Sequence, residues 1–138
     1  MEPIIAELTV DDVDVSIYWY IELGFTVALR GFEDEDGLQW ASLSCDERTI
    51  WLLRGDMSPH SATAAPRTTL HLQVADVNAL YQHLQARGID PGPEPKNEWY
   101  GVRQFTLADP DGFRWVIKQT IPPEECPPPP GGGTARLP

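Results

Sequence analysis

Shifted against itself by 64 residues, this sequence comes back into register. Leu8, Val10, Asp12 and Val13 land on Leu72, Val74, Asp76 and Val77, while Gly24, Gly37, Leu43 and Trp51 land on Gly88, Gly101, Leu107 and Trp115. No gap is needed between residues 8 and 54. Such a repeat restricts the fold severely, because each copy must be one supersecondary unit used twice.

Each copy reads as β-α-β-β-β. An alternating strand opens it, Ile4–Val10 in the first copy and Thr68–Val74 in the second. A helix follows, with Asp12 or Asp76 as N-cap accepting from free backbone N–H groups. Val77, Leu80, Tyr81 and Leu84 recur at helical spacing and define one apolar stripe. Val13, Ile17, Tyr20 and Ile21 do the same less cleanly. Gly24 and Gly88 suit the left-handed residue that ends a helix. Three strands complete each copy, about Thr26–Gly31, Leu38–Leu43 and Thr49–Arg54, then about Pro93–Asn97, Val102–Ala108 and Phe113–Gln119. The last two of each copy form a hairpin, turning at Cys45-Asp46-Glu47-Arg48 and at Asp109-Pro110-Asp111-Gly112, where Pro presets φ and Gly accepts a positive one. Gly55–Pro66 reads as a linker between the copies. The Pro- and Gly-rich stretch after Thr120 reads as a mobile tail. The expectation is one α+β domain over residues 1–120, with repeats at about 4–54 and 68–120 and a flexible segment at 121–138.

Composition narrows the function. The 138 residues carry a formal net charge of −11, which argues against a nucleic-acid partner. Ten acidic side chains and one basic one, Arg30, fall within residues 1–36, a field that favours cationic ligands. The run Glu33-Asp34-Glu35-Asp36 is equally a solvated surface. No apolar stretch is long enough to span a bilayer, and Met1-Glu2-Pro3 does not open a signal peptide. A soluble, cytoplasmic protein with no membrane association is therefore expected. Cys45 and Cys126 lack any CxxC or histidine partner and read as incidental thiols. The HEXXH, GxSxG, P-loop and GxGxxG patterns are absent, and Asp109 and Asp111 read as turn formers rather than paired catalytic carboxylates.

The order of elements, together with Asp12-Val13…Leu23-Gly24-Phe25, Val74-Ala75-Asp76-Val77…Gly88 and Tyr100-Gly101-Val102-Arg103-Gln104-Phe105…Asp109-Pro110-Asp111-Gly112, resembles the vicinal oxygen chelate superfamily. That group includes glyoxalase I, extradiol dioxygenases, fosfomycin-resistance enzymes and bleomycin-resistance proteins. The resemblance covers about residues 4–120, and the second copy is most like the bleomycin-resistance branch. It implies a curled mixed sheet in each unit, two cups lining a ligand site, and a homodimer.

Strand alternation assigns the two faces of each sheet. Leu8, Val10, Leu72 and Val74 should face the helices, as should Leu43, Trp51, Leu53, Leu107, Trp115 and Ile117. Ile5, Glu7, Thr9, Thr69, His71 and Gln73 should face the cup, with Trp40, Ser42, Leu52, Gln104, Thr106, Arg114, Val116 and Lys118. The resemblance places the metal ligands of metal-dependent members at Ile5, Leu52, Thr69 and Val116. None of these is a usual divalent-metal ligand. Neither a metal nor any other cofactor is therefore expected.

The candidate ligand-binding set is Glu7, Trp40, His71, Gln73, Trp99, Tyr100 and Gln104. Aromatic rings bury large area at low conformational cost and attract cations and flat heterocycles. His60 and His83 read as surface residues. Trp19 packs against either the sheet or a subunit interface, and the residues do not decide which. The reading is a protein that binds and sequesters a small, planar, cationic molecule. One alternative is a lyase, isomerase or dioxygenase, with displaced metal ligands or with His71 and Glu7 as an acid–base pair. Another is a regulatory module whose cup is vestigial.

Overall fold

A computed structural model describes residues 3–57 and 67–132; His60 and most of the expected linker lie outside the described residues. The chain forms two compact units. The first holds residues 3–57, Arg67 and the turn Asp109–Gly112; the second holds Thr68–Ala108 and the described residues from Phe113 onward.

In the first unit β1 (Ala6–Val10) leads to α1 (Val13–Leu23), followed by β2 (Thr26–Arg30), β3 (Glu33–Asp34), β4 (Gly37–Leu38), β5 (Trp40–Cys45) and β6 (Arg48–Arg54). The main sheet runs β1-β6-β5-β2, with β1 parallel to β6 and the other pairs antiparallel. Asp12 caps α1 through its carboxylate, which accepts from the Val15 N–H at 3.1 Å. Gly24 ends the helix at φ 118°, a left-handed value that a side chain would disfavour. Val13, Ser16, Ile17, Tyr20 and Leu23 are buried. Ile21, expected in that stripe, is 44% exposed, so Leu23 takes its place on the inner face.

The second unit repeats the plan with β7 (Thr69–Gln73), α2 (Val77–Ala86), β8 (Lys96–Asn97), β9 (Val102–Ala108) and β10 (Arg114–Thr120), in sheet order β7-β10-β9-β8. Asp76 caps α2 by accepting from Ala79 N–H at 3.0 Å, and Gly88 follows the helix at φ 76°. The α2 stripe packs on the sheet face carrying Phe105, whose ring meets Tyr81 edge-on at 5.2 Å. Val74 lies beyond the end of β7 and is only half-buried. Two expected strands change extent: β8 keeps only Lys96–Asn97, and the third strand of the first unit is interrupted at Gln39. Ile121 is buried and donates its N–H to the Gly101 carbonyl at 3.0 Å, while the Asn97 amide donates to the Glu125 carbonyl at 3.1 Å. Residues 121–125, expected to begin a mobile tail, are thus held against the second sheet.

The repeat is ungapped only as far as the hairpin. In the first unit Ser44 pairs with Thr49 and Cys45 with Arg48, leaving Asp46 and Glu47 as the turn. In the second, Ala108 pairs with Arg114, leaving Asp109–Phe113. Relative to β9, β10 therefore begins one residue later than β6 does relative to β5. A one-residue offset in a strand turns every side chain to the opposite face. Trp115 faces its helix and is 3% exposed, but Trp51, its partner at the 64-residue shift, does not share that place. Leu52 and Ile50 occupy the core, paired with Leu8 and Ala6, whereas Trp51 and Leu53 lie on the helix-free face. The assignment of Trp51 and Leu53 to the core and of Leu52 to the cup is corrected accordingly. Leu43, Leu107 and Ile117 are core residues as expected.

Arg54, at the end of β6, is buried yet fully engaged. Its guanidinium donates to both carboxylate oxygens of Asp34 at 2.6 Å, to those of Asp56 at 2.6 and 2.9 Å, and to the Gly37 carbonyl at 3.1 Å. One member of the acidic run is therefore structural, tying the β3–β4 hairpin to β6. Hydrogen bonds from Arg54 hold both carboxyls below their ordinary value of 3.8. Groups depressed in the folded state contribute stability above their unfolded value, and that contribution fades as pH falls below it. Arg54→Ala should lower the thermal midpoint more than Arg48→Ala at neutral pH, and should flatten its decline below about pH 4. Melting curves between pH 7 and 2 test this; parallel acid limbs for the two variants would rule it out.

The turn Asp109-Pro110-Asp111-Gly112 also does more than reverse the chain. Asp109 accepts the Asp111 N–H at 3.0 Å and Gly112 takes φ 91°, as a turn requires. Within the first unit, buried Asp109 accepts the Tyr20 hydroxyl at 2.6 Å, and Asp111 accepts the Asp11 N–H at 2.8 Å.

Candidate functional site

The helix-free face of each sheet carries the residues with chemistry. In the first unit, strand register sets Glu7, Trp51, Ser42 and Leu29 in one row, and Thr9, Leu53 and Trp40 in the next. The Trp40 and Trp51 rings meet edge-on, centroids 5.5 Å apart and planes at 71°. Beside them Leu29, Arg30, Gly31, Phe32, Gln39 and Trp40 line a groove of about 510 Å³. Phe32 and Leu29 are 84% and 59% exposed, so the groove has an unsatisfied apolar wall. Gly31 makes it possible: a Cβ there would sit 3.1 Å from both the Trp40 Cβ and its carbonyl oxygen. Trp51 and Phe32 were missing from the sequence-based candidate set. Trp51 could have been found only by counting the turn, and Phe32 lies in a segment without strand alternation.

In the second unit the corresponding rows are Thr69–Arg114–Ala108, His71–Val116–Thr106 and Gln73–Lys118–Gln104–Lys96. Gln104 donates to the Tyr100 hydroxyl at 2.7 Å, and the Trp99 and Tyr100 rings meet edge-on at 5.2 Å. Gln73 donates to the Thr120 hydroxyl at 2.6 Å. The structure thus assembles Trp99, Tyr100 and Gln104 at one end of this face, with Gln73 two strands away in the Gln104 row. His71 is exposed, and desolvation, then the positive charges of Lys118 and Arg114, lower its pKa below 6.5. Both effects favour the neutral imidazole.

Glu7 and His71 belong to different units, each on its unit's helix-free face. With the register corrected, the four positions that hold metal in metal-dependent relatives become Ile5, Trp51, Thr69 and Val116, which include no imidazole, carboxylate or thiolate. Among the described residues no three His, Cys, Asp or Glu side chains form a group able to hold a metal ion. The donor set does not fit a catalytic divalent ion. Cys45 and Cys126 are free and half-buried, Trp19 is half-buried edge-on to Tyr20 at 4.8 Å, and His83 is exposed on α2. No helix among the described residues is long and apolar enough to cross a membrane.

Two β-α-β-β-β units with four-stranded sheets of this order define a glyoxalase-like protein. The chain belongs to the Glyoxalase/Bleomycin resistance protein/Dioxygenase superfamily, whose family model matches residues 4–117. It is 33% identical over 122 residues to the bleomycin resistance protein of Geobacillus stearothermophilus, covering 78% of this chain and 88% of that one. An uncharacterized protein of Mycobacterium bovis is 30% identical over 132 residues, covering 88% of this chain and 86% of its own. Among solved structures, TioX from Micromonospora sp. ML1 superposes with a TM-score of 0.72 at 21% identity, and a bleomycin-binding protein complexed with bleomycin with 0.66 at 19%; each comparison covers 88% of this chain and 100% of the other. At those identities the structures establish the fold.

Proposed function

We propose that this chain binds and sequesters a flat, aromatic small molecule of the bleomycin type without transforming it. The observation that carries the reading is the Trp40–Trp51 pair on the helix-free face of the first sheet, beside an apolar groove and with Glu7 in the Trp51 row. Rings set edge-on offer a planar ligand an apolar wall, and Glu7 offers a cationic substituent its counter-charge. On the second sheet Trp99, Tyr100, Gln104, Gln73 and His71 form a separate, more polar face. The relatives named for bleomycin resistance support the ligand class. A cytoplasmic homodimer suits this role, since edge strand β2 presents Leu29 to solvent and an unpaired sheet edge invites a partner.

Calorimetric titration of the untagged protein with metal-free bleomycin tests the reading. One saturable site per chain, with Kd of about 1 μM or tighter, is expected. A flat response to bleomycin and to related cationic glycopeptides would remove it. Mass spectrometry of the titrated ligand separates this reading from its rival, in which neutral His71 acts as a general base. Unchanged ligand mass supports sequestration, whereas a product that disappears in His71→Asn supports an enzyme.

A further inference from the structure

The helix-free face of the second sheet has a charge opposite to that of the chain. Arg114 and Lys118 lie on β10 two residues either side of Val116, which pairs with His71. All four side chains share one face, by the alternation of the strand. Their Cα atoms set a definite frame. At about 3.3 Å per residue Arg114 and Lys118 are about 13 Å apart, and each lies about 8 Å diagonally from His71. Side chains as long as Arg and Lys can converge over Val116 from that separation. The lowered pKa of His71 has both cations among its causes, which agrees with this placement.

These two cations are not neutralised. The chain has 21 acidic and 10 basic residues. Among the described residues, however, neither Arg114 nor Lys118 has a carboxylate within ion-pair distance, and no acid appears in any paired row of this face. The neighbouring Lys96 differs, since Glu94 and Glu98 share its groove. In a protein of such acidity, two unpaired cations flanking a histidine, with Thr69 in the Arg114 row, form a setting suited to an anion. Charge-assisted hydrogen bonds from Arg and Lys to carboxylate or phosphate oxygens are the strong ones.

We propose that the helix-free face of the second sheet is an anion-recognition site, in which Arg114 and Lys118 bind a carboxylate, sulfate or phosphate group and His71 lies between them. The inference goes beyond the sequestering reading and does not depend on it. It concerns the second sheet alone and adds that this face takes an anionic group.

The experiment follows the His71 imidazole by NMR in the full chain while sodium sulfate, sodium phosphate or sodium acetate is added, against sodium chloride at matched ionic strength. Chloride reports plain screening, which acts on any exposed charge. The expected result is a saturable rise in the His71 pKa beyond the chloride curve, with half-saturation at about 1–10 mM. Saturation by sulfate or phosphate alone assigns a tetrahedral ester group, and saturation by acetate alone assigns a carboxylate. In Arg114→Gln/Lys118→Gln the excess shift should vanish over the range that saturates the wild type, as an affinity loss of roughly tenfold or more implies, given the usual strength of hydrogen bonds to charged groups. Curves that coincide with chloride in the wild type, or an excess that survives in the double variant, overturn the proposal. Because the probes contain no ring, bleomycin titration of the same samples reports separately on the sequestering reading. Binding of bleomycin without an anion effect would remove only the inference made here.

Discussion

Leu52→Ala is expected to lower the unfolding free energy by about 2–5 kcal/mol, the range for emptying a leucine-sized space in a core that relaxes only partly. Leu52 has no exposed surface, and its strand neighbours across the sheet are Leu8 and Ala41. Trp51→Ala, one position away and removing a larger side chain, should cost much less. Trp51 is half-buried on the helix-free face, where its ring meets Trp40 edge-on. An aromatic pair of that kind is worth about 0.5–1.5 kcal/mol beyond its buried area. Since domains of this size are stable by about 5–15 kcal/mol, the difference is easily resolved by urea unfolding. If Trp51→Ala proved the more damaging of the two, the strand would face the other way and the ungapped repeat would be right after all.

Trp40→Ala should weaken bleomycin binding by roughly 30-fold or more, the loss that follows when a central aromatic anchor worth about 2 kcal/mol is truncated. Trp40 contributes to the groove with Leu29 and Phe32 and to the ring pair with Trp51, so its removal strips both features at once. Stability should change little by comparison, because Trp40 is only half-buried. Tyr18→Ala is the matched control: this aromatic is 74% exposed on the outer side of α1 and should leave affinity unchanged. Equal affinities for wild type and Trp40→Ala in calorimetry would move the binding site off the first sheet altogether.

Much of this molecule was legible in one dimension. The two capping aspartates, the glycines after each helix, the α2 stripe and the Asp-Pro-Asp-Gly turn are local devices. Their physics involves residues within a turn or two of one another, and so their spacing betrays them. Core positions in the second unit followed from alternation for the same reason. The candidates Trp40, Gln104, His71 and Gln73 lie on helix-free faces, as alternation required, and Tyr100 reaches one through its hydrogen bond with Gln104.

What the sequence determined alone is thus the kind of unit, its duplication and its family. What only the tertiary structure decided is which way β6 faces, and with it whether Trp51 is core or wall. A hairpin turn of two residues rather than a longer one costs the chain nothing visible in composition, yet it sets the register by which β6 meets β5. Tertiary structure likewise decided the partners of Arg54 and Tyr20, because Asp34 and Asp109 lie 20 and 89 residues away from them in sequence. The same holds for the cationic face around His71, which joins residues from strands far apart in the chain. Local propensity carries no information about such pairs. They come together because a sheet matches strands by register, and register is settled by turn length and by the burial of one face against its helix.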